Sequence, residues 1–445
     1  MGDFDIIIAG CGTGGAATAI IAARAGLKTL VLDPKAREEI GKKICGDGIH
    51  INHYKFVKDL GIDFTDDELL NPITGMRVLA PNRTDFIHVK DDGYCINRRL
   101  FGQRLMKEAE NAGGSIETKC RATGLIIENG TVTGVKTDRG ELRAKIVVDA
   151  TGVASALRKQ LTFDTDFPKT TDPNDLAKGY REVVEIEGEF EHPNDIVIEY
   201  NNEIAPYGYI WYFPKSPNIL NIGLGLKGPQ DLQELYRTHV ASHFKIKKVL
   251  DAGSWVLPMV RKPFDGFVAN GFMIVGDAAC QVNPLDGAGI GYSIRGGVMA
   301  ANAAIGSINN PTRERLWPYN KNFMTEVGAK HAQSAIFATA LGSLNNDDMN
   351  FVFKSGLVAS EDVRKAYEGG MKLSTLDKIR KAIKGASRPH LLKKLNTVAK
   401  LTGEAKAHYL NYPSGPDGLP QWKADAGGIF ERSAQAFGAP NAAGN

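Results

Sequence analysis

Residues 5–15 of the 445-residue chain have the sequence DIIIAGCGTGG, and this stretch determines the class of fold. Residues 5–9 are an apolar run, the pattern of a strand that is buried on both faces. A glycine loop follows, and residues 16–25, dense in Ala and Ile, predict a helix that Gly26 ends. Residues 28–32 (KTLVL) predict the next strand, so the chain begins with a compact β-α-β unit.

The glycine loop has the spacing of a dinucleotide-binding site. Gly10 permits a tight turn, Gly12 lets the backbone approach a pyrophosphate, and Gly15, after Gly14, lets the helix pack on the strand. The helix N-terminus then offers N–H groups to the phosphates. Asp33 ends the second strand, where a carboxylate can accept hydrogen bonds from ribose hydroxyls. Alone, this unit allows either NAD or FAD.

A second glycine cluster distinguishes between these two cofactors. Gly276-Asp277-Ala278-Ala279 precedes Pro284 and the run Asp286-Gly287-Ala288-Gly289-Ile290-Gly291. A carboxylate at a strand end can hold a ribityl hydroxyl, and a glycine turn lets a helix N-terminus face a flavin ring. The pair of clusters predicts an FAD site.

Over residues 1–160 and 270–310 the chain resembles the FAD-dependent proteins typified by aromatic hydroxylases. The resemblance implies flavin contacts for Asp277, Gly289 and Ile290, and an FAD contact for Arg98 at the start of a predicted helix. It also implies that the backbone at Ala122 holds the adenine, with residues 149–152 (DATG) beside the pyrophosphate.

Two further motifs narrow the family. Residues 43–48 are KICGDG, and residues 209–214 are YIWYFP, followed after eight residues by Gly223-Leu224-Gly225. Both motifs resemble the geranylgeranyl reductase family. The resemblance implies that Cys45, Gly46 and Gly48 lie at the flavin. It also implies an apolar tunnel shaped by the second motif, at Tyr209, Trp211, Phe213, Pro214, Gly223 and Gly225, in which isoprenoid C=C bonds are saturated.

The aromatic motif has a physical interpretation independent of the resemblance. Tyr209, Trp211 and Phe213 alternate, so their side chains share one face of a strand. Such a face can be plain core or the wall of a ligand slot. Gly223 and Gly225 on the partner run leave room beside the rings, which favours the slot.

Cys45 is the candidate catalytic residue, with two roles open. It can orient the substrate or relay the proton that an alkene needs beside a hydride. It can also be a small apolar side chain that packs against the flavin without chemistry.

Composition gives no support to several classes of function. The 54 basic and 51 acidic residues nearly balance, which gives no argument for nucleic acid binding. Five cysteines without CxxC spacing favour neither a metal site nor a disulfide framework. The first residues lack the features of a signal peptide, and no run of eighteen apolar residues occurs. We therefore expect a cytoplasmic protein.

The expected fold class is α/β, in four segments. Residues 1–165 and 266–310 form a Rossmann-type FAD-binding domain, and residues 166–265 an inserted, mostly antiparallel sheet for the substrate. Residues 311–445 form a helical region that ends in a loosely packed tail rich in Gly, Ala and Pro.

The segment 372–406 is basic and has apolar positions at near-helical spacing. It contains ten Lys or Arg residues and two acidic ones. Such a surface suits peripheral contact with an anionic membrane on its inner face. A solvated helix face, or one docked on the flavin domain, explains the same pattern.

The reaction expected is reduction of geranylgeranyl chains in archaeal-type membrane lipids or their diphosphate precursors. Without a second Rossmann fingerprint, the electrons would come from an external donor: ferredoxin, deazaflavin or NAD(P)H. One alternative is an FAD-dependent monooxygenase or halogenase of the same fold, although Tyr209 and Phe213 depart from the halogenase signature. Another is a non-catalytic protein that binds FAD and lipid.

Overall fold

The computed structural model describes residues 3–368, 381 and 384–438. In chain order, the strands are β1 (Phe4–Ala9), β2 (Thr29–Asp33), β3 (Gly48–His50), β4 (Leu69–Leu79), β5 (Phe86–Ile96), β6 (Ser115–Thr118), β7 (Ala122–Glu128), β8 (Thr131–Thr137), β9 (Gly140–Asp149), β10 (Leu176–Ile186), β11 (Asp195–Glu199), β12 (Tyr209–Ser216), β13 (Ile219–Leu226), β14 (Ile246–Pro258), β15 (Val268–Ala269) and β16 (Phe272–Ile274). The helices are α1 (Thr13–Arg24), α2 (Ile51–Asp59), α3 (Arg98–Asn111), α4 (Leu232–His239), α5 (Ile290–Ser307), α6 (Arg313–Phe323), α7 (Ala329–Gly342), α8 (Asn346–Ser355), α9 (Ser360–Glu368), α10 (Pro389–Leu410) and α11 (Leu419–Phe437). One turn of π-helix, Met324–Gly328, joins α6 to α7.

The first sheet has the order β15-β16-β9-β1-β2-β6, and β8 and β7 extend it from β9. Its central strands run parallel, because α1 returns the chain from β1 to β2. Ile6, Ile7 and Ile8 are completely buried, as expected for a strand covered on both faces. The Rossmann-type part of the predicted fold class is therefore confirmed.

The second sheet has the order β14-β10-β13-β12-β11-β4-β5-β3 and is mostly antiparallel, as predicted. Its parallel pair is β11 with β4. Strands β3, β4 and β5 belong to residues 48–96, a segment that we had assigned to the first domain. The alternation of residues 75–90 is typical of strands, but it contains no information about which sheet they join. The division of the chain into domains stays a prediction.

Strand β14 was missed by the sequence analysis. It pairs with β10 at the sheet edge, and most of its side chains are exposed. The stretch includes Lys247, Lys248 and Asp251, so it lacks the apolar alternation by which strands are recognised. Backbone pairing with β10 forms this strand although its sequence lacks regular alternation of apolar and polar residues.

The described part of the C-terminal region is helical. The prediction that about the last twenty residues form a loosely packed tail is wrong as far as residue 437, because residues 419–437 are packed. They form helix α11, which buries Trp422, Ile429 and Phe437. Trp422 stacks on His408 of α10 with the ring centroids 4.8 Å apart. Gly427 and Gly428 weaken the helical pattern of the sequence, while packing on α10 stabilises the helix. Residues 439–445 lie outside the described part.

Among the residues that the structure describes, no helix combines the length and apolar character needed to cross a bilayer.

Candidate active site

The first glycine loop has the close contacts that its spacing predicts. A Cβ added at Gly10, whose φ is +111°, would lie 2.3 Å from the carbonyl oxygen of Ala150. One added at Gly15 would lie 2.0 Å from the carbonyl oxygen of Gly10. At Gly12, the N-cap of α1, no atom lies within 4 Å of the corresponding position. Two glycines therefore permit close packing, and Gly12 leaves the helix N-terminus open to a ligand.

Asp33 lies beside this loop and is held by backbone groups. The N–H of Cys11 donates to Oδ2 of Asp33 (2.8 Å), and the N–H of Lys35 donates to Oδ1 (2.9 Å). A carboxylate can accept about four hydrogen bonds, so acceptor positions remain for ribose hydroxyls. Two residues before Ala122, the N–H of Cys120 donates to the carbonyl of Asp33 (3.0 Å), so this segment is joined to the end of β2.

Arg98 begins α3 and is a buried cation. Its Nη1 donates to the carbonyl of Gly41 at 3.4 Å, and its Nε has no hydrogen-bond partner. Within the described residues, no carboxylate lies within ion-pair distance of it. Burying a guanidinium without an anion is costly, so this site suits an anionic ligand such as FAD. Arg98 and the open position at Gly12 together show that the residues present fit the cofactor.

The second glycine cluster meets α1 from the other side. Asp277 lies in a short 3₁₀ helix after β16 and accepts a hydrogen bond from Nζ of Lys43 at 2.6 Å. Gly289 is the N-cap of α5, and a Cβ there would meet nothing closer than 3.4 Å. Ile290 follows as the first residue of the helix. The ion pair with Lys43 was not foreseen, because 234 residues separate the partners.

Asp149 has a structural task beside this cluster. Its carboxylate accepts from the N–H and hydroxyl of Thr151 and from the N–H groups of Leu157 and Arg158, at 2.6–3.2 Å. It thereby fixes the turn that follows β9.

A cavity of about 770 Å³ lies between the second sheet and the loop before α5. Part of its lining is apolar and consists of Ile73, Met76, Val89, Ile196, Ile198, Tyr209 and Phe213, whereas other lining residues are charged, among them Lys90, Asp91, Arg295 and Lys330. Cys45–Gly48 and Asp286–Ile290 also line it. The motifs KICGDG and YIWYFP and the second glycine cluster therefore meet at one cavity.

Buried polar groups join the Cys45 loop to the sheet. Nδ2 of Asn221 donates to the carbonyl of Cys45 (2.8 Å) and to Oδ2 of Asp47 (3.1 Å). Nζ of Lys215 lies 2.7 Å from the same Oδ2. Asp47 has a φ of +66°, so these contacts also hold a strained backbone. Sequence analysis missed Asn221 and Lys215, because no motif relates them to residue 45.

The aromatic motif has two different environments. Tyr209 and Phe213 line the cavity. Trp211 lies between them on the same face of β12 and over Gly223, where an added Cβ would lie 2.5 Å from the indole. Its Nε1 donates to Oδ1 of Asn221 (3.1 Å). Pro214 and Gly225 also lie in the sheet rather than at the cavity surface.

Cys45 borders the cavity with a protonated thiol. Burial raises the pKa of Cys45 above its ordinary value, so the thiolate is not populated at neutral pH. The N–H of Asp47 approaches its Sγ at 3.3 Å. The side chain can pack or donate a proton, but it is not an activated nucleophile.

Comparison with known proteins identifies the family. A model described as the geranylgeranyl reductase catalytic domain matches residues 175–255, and one for FAD-dependent oxidoreductases matches residues 5–160. The digeranylgeranylglycerophospholipid reductase of Sulfolobus acidocaldarius is 33% identical over 443 residues, covering 96% of this chain and 97% of that protein. The chain belongs to the geranylgeranyl reductase family. It is an FAD-dependent oxidoreductase.

Other relatives agree with this assignment. Digeranylgeranylglycerophospholipid reductase 1 of Methanococcoides burtonii is 28% identical over 363 residues, covering 78% of this reductase and 86% of the relative. A geranylgeranyl bacteriochlorophyll reductase-like protein from Thermoplasma acidophilum has the same fold, with a TM-score of 0.75, 24% identity and coverage of 89% and 99%. A flavin-dependent brominase shares the fold more distantly, with a TM-score of 0.62, 16% identity and coverage of 97% and 99%.

Proposed function

We propose that this reductase saturates the C=C bonds of geranylgeranyl chains in archaeal-type glycerophospholipids. The observation that carries the proposal is the cavity that meets both the Cys45 loop and the loop before α5, and whose wall on the second sheet is apolar. An isoprenoid chain offers apolar surface and alkene π-density, and an apolar wall with two aromatic rings suits both. The relatives named as digeranylgeranylglycerophospholipid reductases support the choice of lipid.

FAD would lie along the two glycine clusters and supply a hydride once reduced. We propose that it contacts Gly10, Gly12, Gly14, Gly15, Asp33, Arg98, Ala122, Asp277, Gly289 and Ile290, with Cys45, Gly46 and Gly48 bordering the flavin. The chain's own contribution is to hold the cofactor beside the apolar cavity and to exclude water from the reacting alkene.

A second chamber would receive the far end of the isoprenoid chain. Its volume is about 200 Å³, and its lining is almost entirely apolar. The two chambers adjoin on one face of β4, β5 and β11. Residues two positions apart in a strand share a face, and in three such pairs the first residue lines the main cavity and the second lines the second chamber: Met76 and Val78, Val89 and Ile87, Ile198 and Tyr200. The rings of Tyr200 and Tyr209 meet where the chambers adjoin, with centroids 6.1 Å apart. A chain threaded past Tyr209 would enter the space under α7 and α10.

Electrons would come from an external donor. Since the sequence contains one strand–glycine loop–helix fingerprint, which FAD occupies, we propose reduction by ferredoxin, deazaflavin or docked NAD(P)H.

Peripheral contact with an anionic membrane would use fewer basic residues of the segment 372–406 than its sequence suggests. Lys381 bonds to Asp362 (2.7 Å), Arg388 pairs with Asp347 and Asp348, and Lys394 donates to Ser343 (3.0 Å). Lys393 and Lys400 are exposed on α10. Residues 372–380, 382 and 383 lie outside the described residues. We propose a weak, salt-sensitive contact, which sedimentation with anionic vesicles at two salt concentrations would test.

Anaerobic incubation of the dithionite-reduced protein with a digeranylgeranyl glycerophospholipid, followed by mass spectrometry, tests the function. We expect product masses that rise in steps of two hydrogens. A parallel incubation with geranylgeranyl diphosphate distinguishes the finished lipid from its precursor. Unchanged masses in both incubations would contradict the proposal.

A further inference from the structure

Asp286 carries a carboxyl group at the main cavity and is not among the predicted flavin contacts. It lies between Pro284 and α5, and its side chain lines the cavity. Oδ1 accepts from the N–H of Ala288 at 2.9 Å, and the Tyr209 hydroxyl donates to the Asp286 main-chain carbonyl. These two bonds fix the loop at the cavity wall.

The other carboxyl groups around the cavity are paired or are exposed at its rim. Asp47 is bound by Lys215 (2.7 Å), Asp91 by His50 (2.9 Å) and Glu326 by Arg295 (2.6 Å). Asp59 and Asp92 are exposed at the rim. Across the described residues, no Lys, Arg or His nitrogen lies within 4.0 Å of the Asp286 carboxylate.

We propose that Asp286 is the acid that gives the alkene its proton. This inference rests on the proposed function, because it assigns the second hydrogen of the same reduction. Asp286 borders the cavity between Tyr209 and the N-terminus of α5, so one group can meet both the isoprenoid chain and the flavin edge.

The surroundings of Asp286 keep it protonated at mildly acidic pH. Burial raises its pKa from 3.8 to about 6, and the Ala288 N–H opposes that rise. The charges of Lys330 and His50 also oppose the rise of this pKa. Burial also raises the pKa of Cys45, Tyr209 and Tyr292 and lowers that of His53 to about 3. The titratable groups that line the cavity with Asp286 include Glu326 before α7, Lys330 within α7, His50 and His53 at α2, Tyr292 and Arg295 on α5, Tyr209 on β12, and Cys45. Among the neutral ones, Asp286 is the strongest acid.

The step conserves atoms and electrons. The alkene π pair takes the proton of Asp286 at the less substituted carbon, which breaks the O–H bond and leaves a carboxylate. The positive charge on the tertiary carbon accepts a hydride from the reduced flavin, which is thereby oxidised. After the proton transfer and before the hydride transfer, the aromatic faces of Tyr209 and Phe213 stabilise the cationic carbon. Water from the cavity mouth returns a proton to Asp286.

Asp286→Asn tests the role, because an amide keeps the acceptor for Ala288 but carries no acidic proton. We expect unchanged FAD content and unchanged reduction by dithionite. Anaerobic oxidation of the flavin by geranylgeranyl lipid should slow at least 100-fold. In the unsubstituted protein this rate should fall as the pH rises through about 6, and the variant should lose that dependence. Asp59→Asn, which removes a charge from the exposed rim, should keep both the rate and the pH profile.

Two further results separate the alternatives. If the Asp286→Asn variant does not retain FAD, the Asp286→Glu variant is used in its place. Partial activity of that variant with a shifted pH profile supports the role of Asp286 as the acid. A rate within threefold of the unsubstituted protein in either variant, with an unchanged pH profile, would overturn the proposal. If the unsubstituted protein itself leaves the lipid unreduced, the proposed function fails instead.

Discussion

Cys45 is positioned through its backbone more than through its sulfur. Asn221 holds its carbonyl, Asp47 and Lys215 fix the following residues, and Gly46 lies against Phe213, where an added Cβ would be 3.0 Å from the ring. Because burial keeps the thiol protonated, its possible contributions are close packing against the flavin and a hydrogen bond. The stronger acid in the same cavity is Asp286.

Replacing Cys45 with Ala should therefore have a moderate effect. The variant should bind FAD normally and show alkene-dependent flavin oxidation slowed roughly tenfold, which corresponds to about 1.4 kcal/mol of lost positioning. Anaerobic stopped-flow spectroscopy measures this rate. The serine variant, which keeps the shape and a weak donor, should recover most of it. A rate for Cys45→Ala as low as that of Asp286→Asn would instead make the thiol the proton donor.

At the scale of elements, β12 and β13 form the part of the second sheet that lies against the Cys45 loop. Trp211 fills the space over Gly223 and donates to Asn221, which in turn holds the Cys45 loop. Tyr209 and Phe213, two residues to either side, then point into the cavity. The glycines thus make room for an indole inside the sheet, while the substrate would contact the flanking rings.

Gly223→Ala and Gly225→Ala form a matched pair on β13. A Cβ at residue 223 would lie 2.5 Å from both the indole and the carbonyl oxygen of Tyr180, while one at residue 225 would meet nothing closer than 3.7 Å. We expect Gly223→Ala to lower the free energy of unfolding by about 1–3 kcal/mol. Gly225→Ala should change it by less than about 0.5 kcal/mol. Urea unfolding measures both, and equal losses would contradict this packing.

The elements differ in how far sequence predicts them. The unit β1-α1-β2 was predicted because burial on both faces and three spaced glycines leave few alternatives. β14 was missed because its apolar and polar residues do not alternate, and α11 because its glycines mask a helix that tertiary packing stabilises. In the site, the motifs predicted which segments meet. Asn221, Lys215 and Lys43 have no local pattern, since their partners lie 174, 168 and 234 residues away.

At the scale of the whole molecule, the C-terminal helices enclose what we propose to be the end of the substrate chain. Leu341 on α7 and Leu395 on α10 line the second chamber, opposite the face of β4, β5 and β11 that also forms the main cavity. The helical region would then determine which chain length is accepted, while the two sheets hold the reacting bond.

Leu395→Trp should shorten the accepted chain by filling the second chamber. We expect at least tenfold slower reduction of the C20 lipid, while an analogue with C10 chains keeps its rate. Leu410→Trp on the same helix is the control, because Leu410 is 49% exposed. Product formation by mass spectrometry gives both rates. A parallel loss on both chain lengths would mean that the chamber is only part of the core.

The most direct test of the account follows the flavin itself. The protein is reduced anaerobically and mixed with geranylgeranyl glycerophospholipid or with the same lipid in saturated form, and the return of oxidised-flavin absorbance is recorded. We predict oxidation by the unsaturated lipid, with one flavin oxidised for each double bond removed, and none by the saturated lipid. Reduced flavin that stays reduced with both lipids and is oxidised only when oxygen is admitted would contradict the account.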